Sequence, residues 1–220
     1  MFKKPVKAAL FDMDGLLIDS EAVYLQAMQA AARTFDREMS LDFCHSMIGI
    51  PRAECNVMIQ ELYGAAFDLE EFREVYSANV RQVMEARVPV KAGVVGVLNL
   101  LAERGVPCAV ATSALRATAE SHLGGAGLLP RFATLVGRDD VERAKPFPDI
   151  YLEAARRLGV APGNCVAFED SSPGLTAAHA AGTMAIMVPD ILQPSDEVRA
   201  KCLHVAPDMV AVERLLREQL

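Results

Sequence analysis

No part of this 220-residue chain gathers lysines or arginines into a run, and its formal charge is −7. Nucleic acid polymers and anionic membranes both require a basic footprint, so neither is expected as a partner. An anionic ligand would have to find its positive charge in local groups or a metal. No apolar stretch approaches the ~20 uncharged residues of a membrane-crossing helix. The opening MFKKPVKAALFDMDG sets lysines before apolar residues, as a secretory signal does, but aspartates interrupt it almost at once. No such signal is expected. The five cysteines, Cys44, Cys55, Cys108, Cys165 and Cys202, show no CxxC or Cys/His ligand spacing. That argues against zinc and against a disulfide framework, and fits buried thiols in a reducing cytoplasm. No repeat or low-complexity tract is visible and nothing indicates a protein partner, so a monomeric cytoplasmic protein is expected.

What is present is an alternation of two patterns. Short continuous apolar runs at Val6–Phe11, Cys108–Ala111, Thr134–Val136, Cys165–Phe168 and Ala185–Val188 read as strands covered on both faces. Amphipathic segments at Val94–Arg104, Ala117–Gly124, Ile150–Leu158 and Leu175–Ala181 lie between them. This order predicts an α/β fold: a Rossmann-like parallel sheet with helices on both faces and ligands at the carboxyl ends of its strands. From about Leu16 to Arg87 the pattern is helical only, with Glu21–Phe35, Arg52–Tyr63 and Leu69–Ala86 as its helices. Residues 1–15 and 88–220 are therefore expected to form the core. Residues 16–87 are expected to form a small all-helical domain inserted after the first strand, with Val88–Gly93 as the return linker.

The chemically distinctive residues fall just past the strands. Asp12-Met13-Asp14-Gly15 follows the first, and residues two apart in an extended segment point the same way, so Asp12 and Asp14 can share a site. Gly15 permits a sharp turn. Thr112-Ser113 follows the second strand, Lys145-Pro146-Phe147-Pro148-Asp149 comes after the third, and Glu169-Asp170-Ser171-Ser172-Pro173-Gly174 follows the fourth. Each alone reads as a turn, a helix cap or a solvated charge. Together they bring four carboxylates, a hydroxyl and a lysine to one rim. Such an acidic cluster resists simultaneous ionisation unless a counter-ion is present, and a magnesium ion, which prefers oxygen ligands and keeps several waters, suits it.

These segments resemble the motifs of the haloacid dehalogenase-like superfamily, in its phosphatase and β-phosphoglucomutase-like branch with a helical cap inserted after the first motif. FDMDGLLIDSE is similar to the first motif and hinge, AVATSA to the second, AKPFPDIYLEAARRLGV to the third and CVAFEDSSPGLTAAHAAG to the fourth, so the resemblance covers nearly the whole chain. It implies a magnesium-dependent phosphatase acting on a small phosphorylated metabolite, a sugar, polyol or nucleotide-derived phosphate, through a phosphoryl-aspartate. By the same resemblance Asp12 is the nucleophile and Asp14 the acid and then base. Thr112 and nearby N–H groups bind the phosphoryl oxygens, and Lys145 offsets charge. Asp12, the Asp14 carbonyl and Asp170 hold the metal, with Glu169 beside them. Asp14 argues against the family's dehalogenase and phosphonatase chemistries.

Substrate choice is expected to lie in the cap. Gly49-Ile50-Pro51-Arg52 is similar to the Gly-x-x-Arg cap loop, which makes Arg52 a candidate substrate contact, with Ser113, Arg116, Glu21 and Tyr24 as others. Met28, Met39, Met47 and Met58 read as cap core, and His45, His122, His179 and His204 receive no role. The rivals are a phosphomutase and a phosphate-binding module without turnover. Tyr24 and Ile48 stand where the β-phosphoglucomutase group has a histidine and a lysine, which favours hydrolysis.

Overall fold

The computed structural model of the chain describes residue 2, residues 4–48 and residues 50–220. Gly49 of the cap-loop resemblance lies outside the described residues. The chain divides into two compact units, Met1–Asp19 with Val88–Leu220, and Ser20–Arg87. In chain order the elements begin with β1 (Ala8–Phe11), α1 (Ser20–Thr34), α2 (Leu41–Ser46), α3 (Arg52–Tyr63) and α4 (Leu69–Ala86). The chain continues through α5 (Val94–Glu103), β2 (Cys108–Ala111), α6 (Arg116–Gly125), β3 (Thr134–Val136), α7 (Asp149–Leu158), β4 (Cys165–Glu169) and α8 (Ser172–Ala180). It ends with β5 (Met184–Met187), α9 (Asp196–Arg199), β6 (His204–Val205) and α10 (Met209–Gln219).

In the first unit all strands run parallel in the order β3-β2-β1-β4-β5-β6. The continuous apolar runs are explained by burial: every residue of β1, β2, β4 and β5 is buried. Ala8, Leu10, Ala109 and Ala111 pack in one cluster with Ile150, Tyr151 and Ala154 of α7 and with Leu175 and Ala178 of α8. The connections reverse direction between β1 and β4, the position at which open parallel sheets bind ligands at their strands' carboxyl ends. The expected alternation lacked β6, a two-residue strand of half-buried residues, and α10, whose Asp208 cap accepts from the Ala211 amide at 2.7 Å.

Residues 16–19, assigned from sequence to the helical insert, lie in the first unit. Leu16, Leu17 and Ile18 are fully buried, and Asp19 and Lys91 donate their amides to the Pro89 and Leu17 carbonyls at 2.9 and 3.1 Å. The outgoing and returning connections thus pair with each other, with Ile18 bridging Val90.

The second unit contains only helices among its described residues, and α1 packs on α4. Its core gathers Ala31, Ala32, Met39, Cys44, Met47, Ile59 and Phe72, with Met28 and Met58 packed against them, as expected of those methionines. Phe35, Phe67 and Phe72 meet edge-on or tilted at centroid distances of 5.3 to 6.0 Å. The short α2 begins at Ser40, whose hydroxyl accepts from the Phe43 amide. No helix among the described residues is long and apolar enough to cross a membrane.

Candidate active site

Asp12 stands one residue past β1, and its amide donates to the Phe168 carbonyl at 3.0 Å, so the ladder with β4 fixes its backbone. Phe11 pairs with Phe168, which sets Asp12 beside Glu169 on the neighbouring strand. Both residues are buried, Asp12 at 6% exposure over the whole residue and Glu169 at 0%. The Lys145 ammonium donates to both, to Asp12 Oδ1 and to Glu169 Oε1, the latter at 2.6 Å. Two prolines flank Phe147 between Lys145 and the start of α7, stiffening the segment that presents the lysine.

Every oxygen of Glu169 is engaged. Oε1 also accepts from the Tyr151 hydroxyl at 2.6 Å, and Oε2 accepts from the Ser171 hydroxyl and amide at 3.0 and 3.2 Å. Gly174, in the first turn of α8, lies so close that a Cβ there would overlap the Glu169 carboxylate. Gly15 plays a similar part. Its φ of 77° is a left-handed value that favours glycine, and a Cβ would run into Asp170 Oδ2.

Asp12, Glu169 and Asp170 offer carboxylate oxygens that all lie within 4.8 Å of one another. Burial pushes Asp12 up to about 8; Lys145 opposes this, and the charges of Glu169 and Asp14 add to it. Burial likewise pushes Asp170 up to about 9, helped by the charges of Asp12 and Glu169. Burial alone would lower Lys145, but the two carboxylates outweigh it and hold the ammonium above the usual lysine range. One lysine does not neutralise three clustered carboxylates. A hard, oxygen-preferring divalent cation fits this donor set, and it would bring the charged forms back into the neutral pH range.

Thr112 is buried at the end of β2, where its hydroxyl accepts from the Ala114 amide at 3.1 Å and shapes the turn. Ser113 beside it is exposed. Asp14 is half-buried in the turn that Gly15 closes on Ile18. Arg116 is committed elsewhere: its guanidinium contacts Glu120, Asp140 and the Leu135 carbonyl at 3.0 to 3.3 Å. These contacts tie α6 to the β3 edge and leave Arg116 a structural role. Glu21 and Tyr24 on α1 and Arg52 at the start of α3 belong to the helical unit. Sequence reasoning missed Tyr151 and Ser171, which read as an apolar helix position and a turn residue. It also missed a second charged group past β5. There Lys91 pairs with Asp190 and, at 3.5 Å, with Asp19, on the two connections to the helical unit.

The five cysteines are free. Burial pushes the Cys108 and Cys165 thiols up to about 12 and about 11, which makes them inert.

Comparison with known proteins agrees with this geometry. A family model described as haloacid dehalogenase-like hydrolase matches residues 9–188. A phosphorylated carbohydrates phosphatase of Thermotoga maritima is 31% identical over 177 residues, covering 80% of this chain and 82% of that protein. Among solved structures, a candidate β-phosphoglucomutase of Thermotoga maritima superposes with a TM-score of 0.86 at 28% identity, covering 98% of this chain and all of that one. A hydrolase of the same family from Deinococcus radiodurans, solved with bound phosphate and sodium, superposes with a TM-score of 0.84 at 26% identity, covering 97% of this chain and 96% of that one.

Proposed function

This chain belongs to the haloacid dehalogenase-like hydrolases and is a phosphoric monoester hydrolase, and on that premise we propose that it is a magnesium-dependent phosphatase of a small phosphorylated carbohydrate or related metabolite. The observation that carries this reading is the buried Asp12–Lys145–Glu169 bridge with Asp170 at its side. Asp12 attacks phosphorus and carries the phosphoryl group as an acyl phosphate, which splits one slow hydrolysis into two faster steps. Lys145 favours the ionised Asp12 and draws charge from the phosphoryl oxygens. Asp14 donates a proton to the leaving oxygen and then takes one from the attacking water. Thr112 and the amides of its turn bind the phosphoryl oxygens, and the exposed Ser113 stands next to them.

Asp12, Asp170 and the main-chain carbonyl of Asp14 would hold the magnesium ion, with Glu169 beside them and its oxygens committed to Lys145, Tyr151 and Ser171. When bound, the ion supplies positive charge for the phosphoryl oxygens and neutralises the acid cluster. The helical unit is assigned to substrate selection, with Glu21, Tyr24 and Arg52 as its contributors. The five free thiols, three of them buried, support a cytoplasmic setting.

A phosphate-release screen over sugar, polyol and nucleotide-derived phosphates, run with and without magnesium, tests the reading. Magnesium-dependent release from at least one compound is expected. A mutase would instead convert β-glucose 1-phosphate to glucose 6-phosphate, with catalytic bisphosphate present, faster than it releases phosphate. The half-buried Ile48, which can neither donate a hydrogen bond nor carry charge, speaks against that outcome.

A further inference from the structure

Asp190 lies three residues past β5, beyond the segment that resembles the fourth motif, which ends at Gly182. The Val188 amide donates to the Glu169 carbonyl at 2.6 Å, so the loop after β5 leaves the sheet beside the end of β4, where Asp170 stands. The Lys91 ammonium donates to Asp190 Oδ1 and lies 3.5 Å from Asp19. Burial alone would lower Lys91, but Asp190 and then Asp19 outweigh it and hold the ammonium above the usual lysine range. One oxygen of Asp190 is thereby fixed.

The other oxygen is not. Asp190 Oδ2 is buried and has no hydrogen-bond partner among the described residues. It lies 3.4 Å from the point where a Cβ on Gly15 would stand, and Asp170 Oδ2 crowds the same point. The missing side chain at Gly15 thus leaves Asp190 and Asp170 facing one small space, and all three residues belong to the first unit. A buried acceptor without a donor is costly, and a native protein that keeps one commonly does so for a bound water or ion. Asp190 does not join the carboxylates of Asp12, Glu169 and Asp170 that lie within 4.8 Å of one another, which fits contact through a water better than direct ligation. Magnesium keeps several of its waters, and their hydrogens need acceptors. On the magnesium-dependent reading of the site, we propose that Asp190 is a positioning residue of the metal centre. Its Oδ2 accepts from a water held by the ion beside Asp170, and Lys91, holding Oδ1, sets the orientation of the carboxylate.

The test is calorimetric titration of metal-free protein with magnesium chloride for wild type, Asp190→Asn and Asp19→Asn. Asp190→Asn keeps the size and can offer its carbonyl oxygen to Lys91, but it puts an NH2 donor where Oδ2 stood. Asp19→Asn removes a like charge from the same lysine without touching Oδ2. Asp190→Asn is expected to weaken magnesium about 10–100-fold, and Asp19→Asn less than about threefold. Asp190→Ala should weaken it as well, and decides the matter if the Asn variant does not fold. With manganese in place of magnesium, water-proton relaxation should count the same number of bound waters in wild type and Asp190→Asn. One additional water in the variant would make Asp190 a direct ligand and overturn the proposal. Equal magnesium affinity in wild type and Asp190→Asn, with only the Tm of the metal-free protein lowered, overturns it and leaves a clasp between Lys91, Asp190 and Asp19. Equal weakening by Asp19→Asn and Asp190→Asn also overturns it, as an effect of charge alone. Wild type that binds no magnesium overturns the metal reading itself, and the proposal with it.

Discussion

Replacing Lys145 with methionine removes the ammonium while keeping most of the stem, so any cavity term is small. The lysine side chain is 5% exposed and bridges carboxylates that are 9% and 0% exposed. Removing one partner of a buried ion pair costs about 3–5 kcal/mol, because the remaining charge is left unpaired in a low dielectric. Of the two carboxylates left behind, Glu169 carries the stranded charge, because Asp12, pushed up to about 8 even with the lysine present, already holds its proton at pH 7 in the metal-free protein. The loss should therefore stay near that range, corresponding to a fall in Tm of about 6–20 °C for a chain of this size. The assay is urea and thermal denaturation of metal-free protein at pH 7 for wild type, Lys145→Met, Glu169→Gln and the double variant. The double variant should lose less than the sum of the single ones, by about 1–3 kcal/mol, because the neutral amide no longer needs the ammonium. Turnover by Lys145→Met should fall about 10²–10³-fold. A Lys145→Met protein within 1 kcal/mol of wild type, or strict additivity in the double variant, would refute the bridge as the organising contact.

Gly174→Ala forces the Glu169 carboxylate aside, so a loss of about 1–3 kcal/mol and a drop in kcat are expected in denaturation and steady-state assays. Saturating magnesium at about 100 times its dissociation constant should stabilise the protein by about 2.7 kcal/mol in thermal scans, and Asp170→Asn should abolish most of that gain. On the acid side, the hydrogen bonds from Arg156 hold Glu153 down to about 2 against the ordinary 4.5, with Arg157 adding to the effect. The unfolded chain therefore binds the proton first. The stability from Glu153 is fully present above about pH 4.5 and is lost as pH falls toward 2, so the Tm of Glu153→Gln should decline less than that of wild type over that window.

The sheet and its rim were legible because a strand buried on both faces leaves a continuous apolar signature, and polar groups at its end then stand out. Asp12, Thr112, Lys145, Glu169 and Asp170 could be read this way. β6 could not, since its two half-buried residues carry no such run. Residues 16–19 looked like part of the insert because Leu16, Leu17 and Ile18 follow the acidic turn without a break; only their burial against the return connection assigns them to the core. Tyr151 was hidden by its own chemistry, as a phenol inside an apolar helix face whose hydroxyl partner is remote in sequence. Arg116 misled in the opposite direction. Its position beside Thr112-Ser113 suggested an anion contact, but Glu120 one helical turn on and Asp140 across the β3 edge occupy its guanidinium.

The most direct test of the central claim is turnover by Asp12→Asn, purified and checked by mass spectrometry for deamidation, on the best substrate from the phosphate-release screen. The amide keeps the size and the backbone contact to Phe168 but cannot form an acyl phosphate. A fall in kcat of at least about 10³-fold with the folded state intact is expected. Turnover within tenfold of wild type by an undeamidated sample would remove Asp12 as the nucleophile and contradict the proposed mechanism.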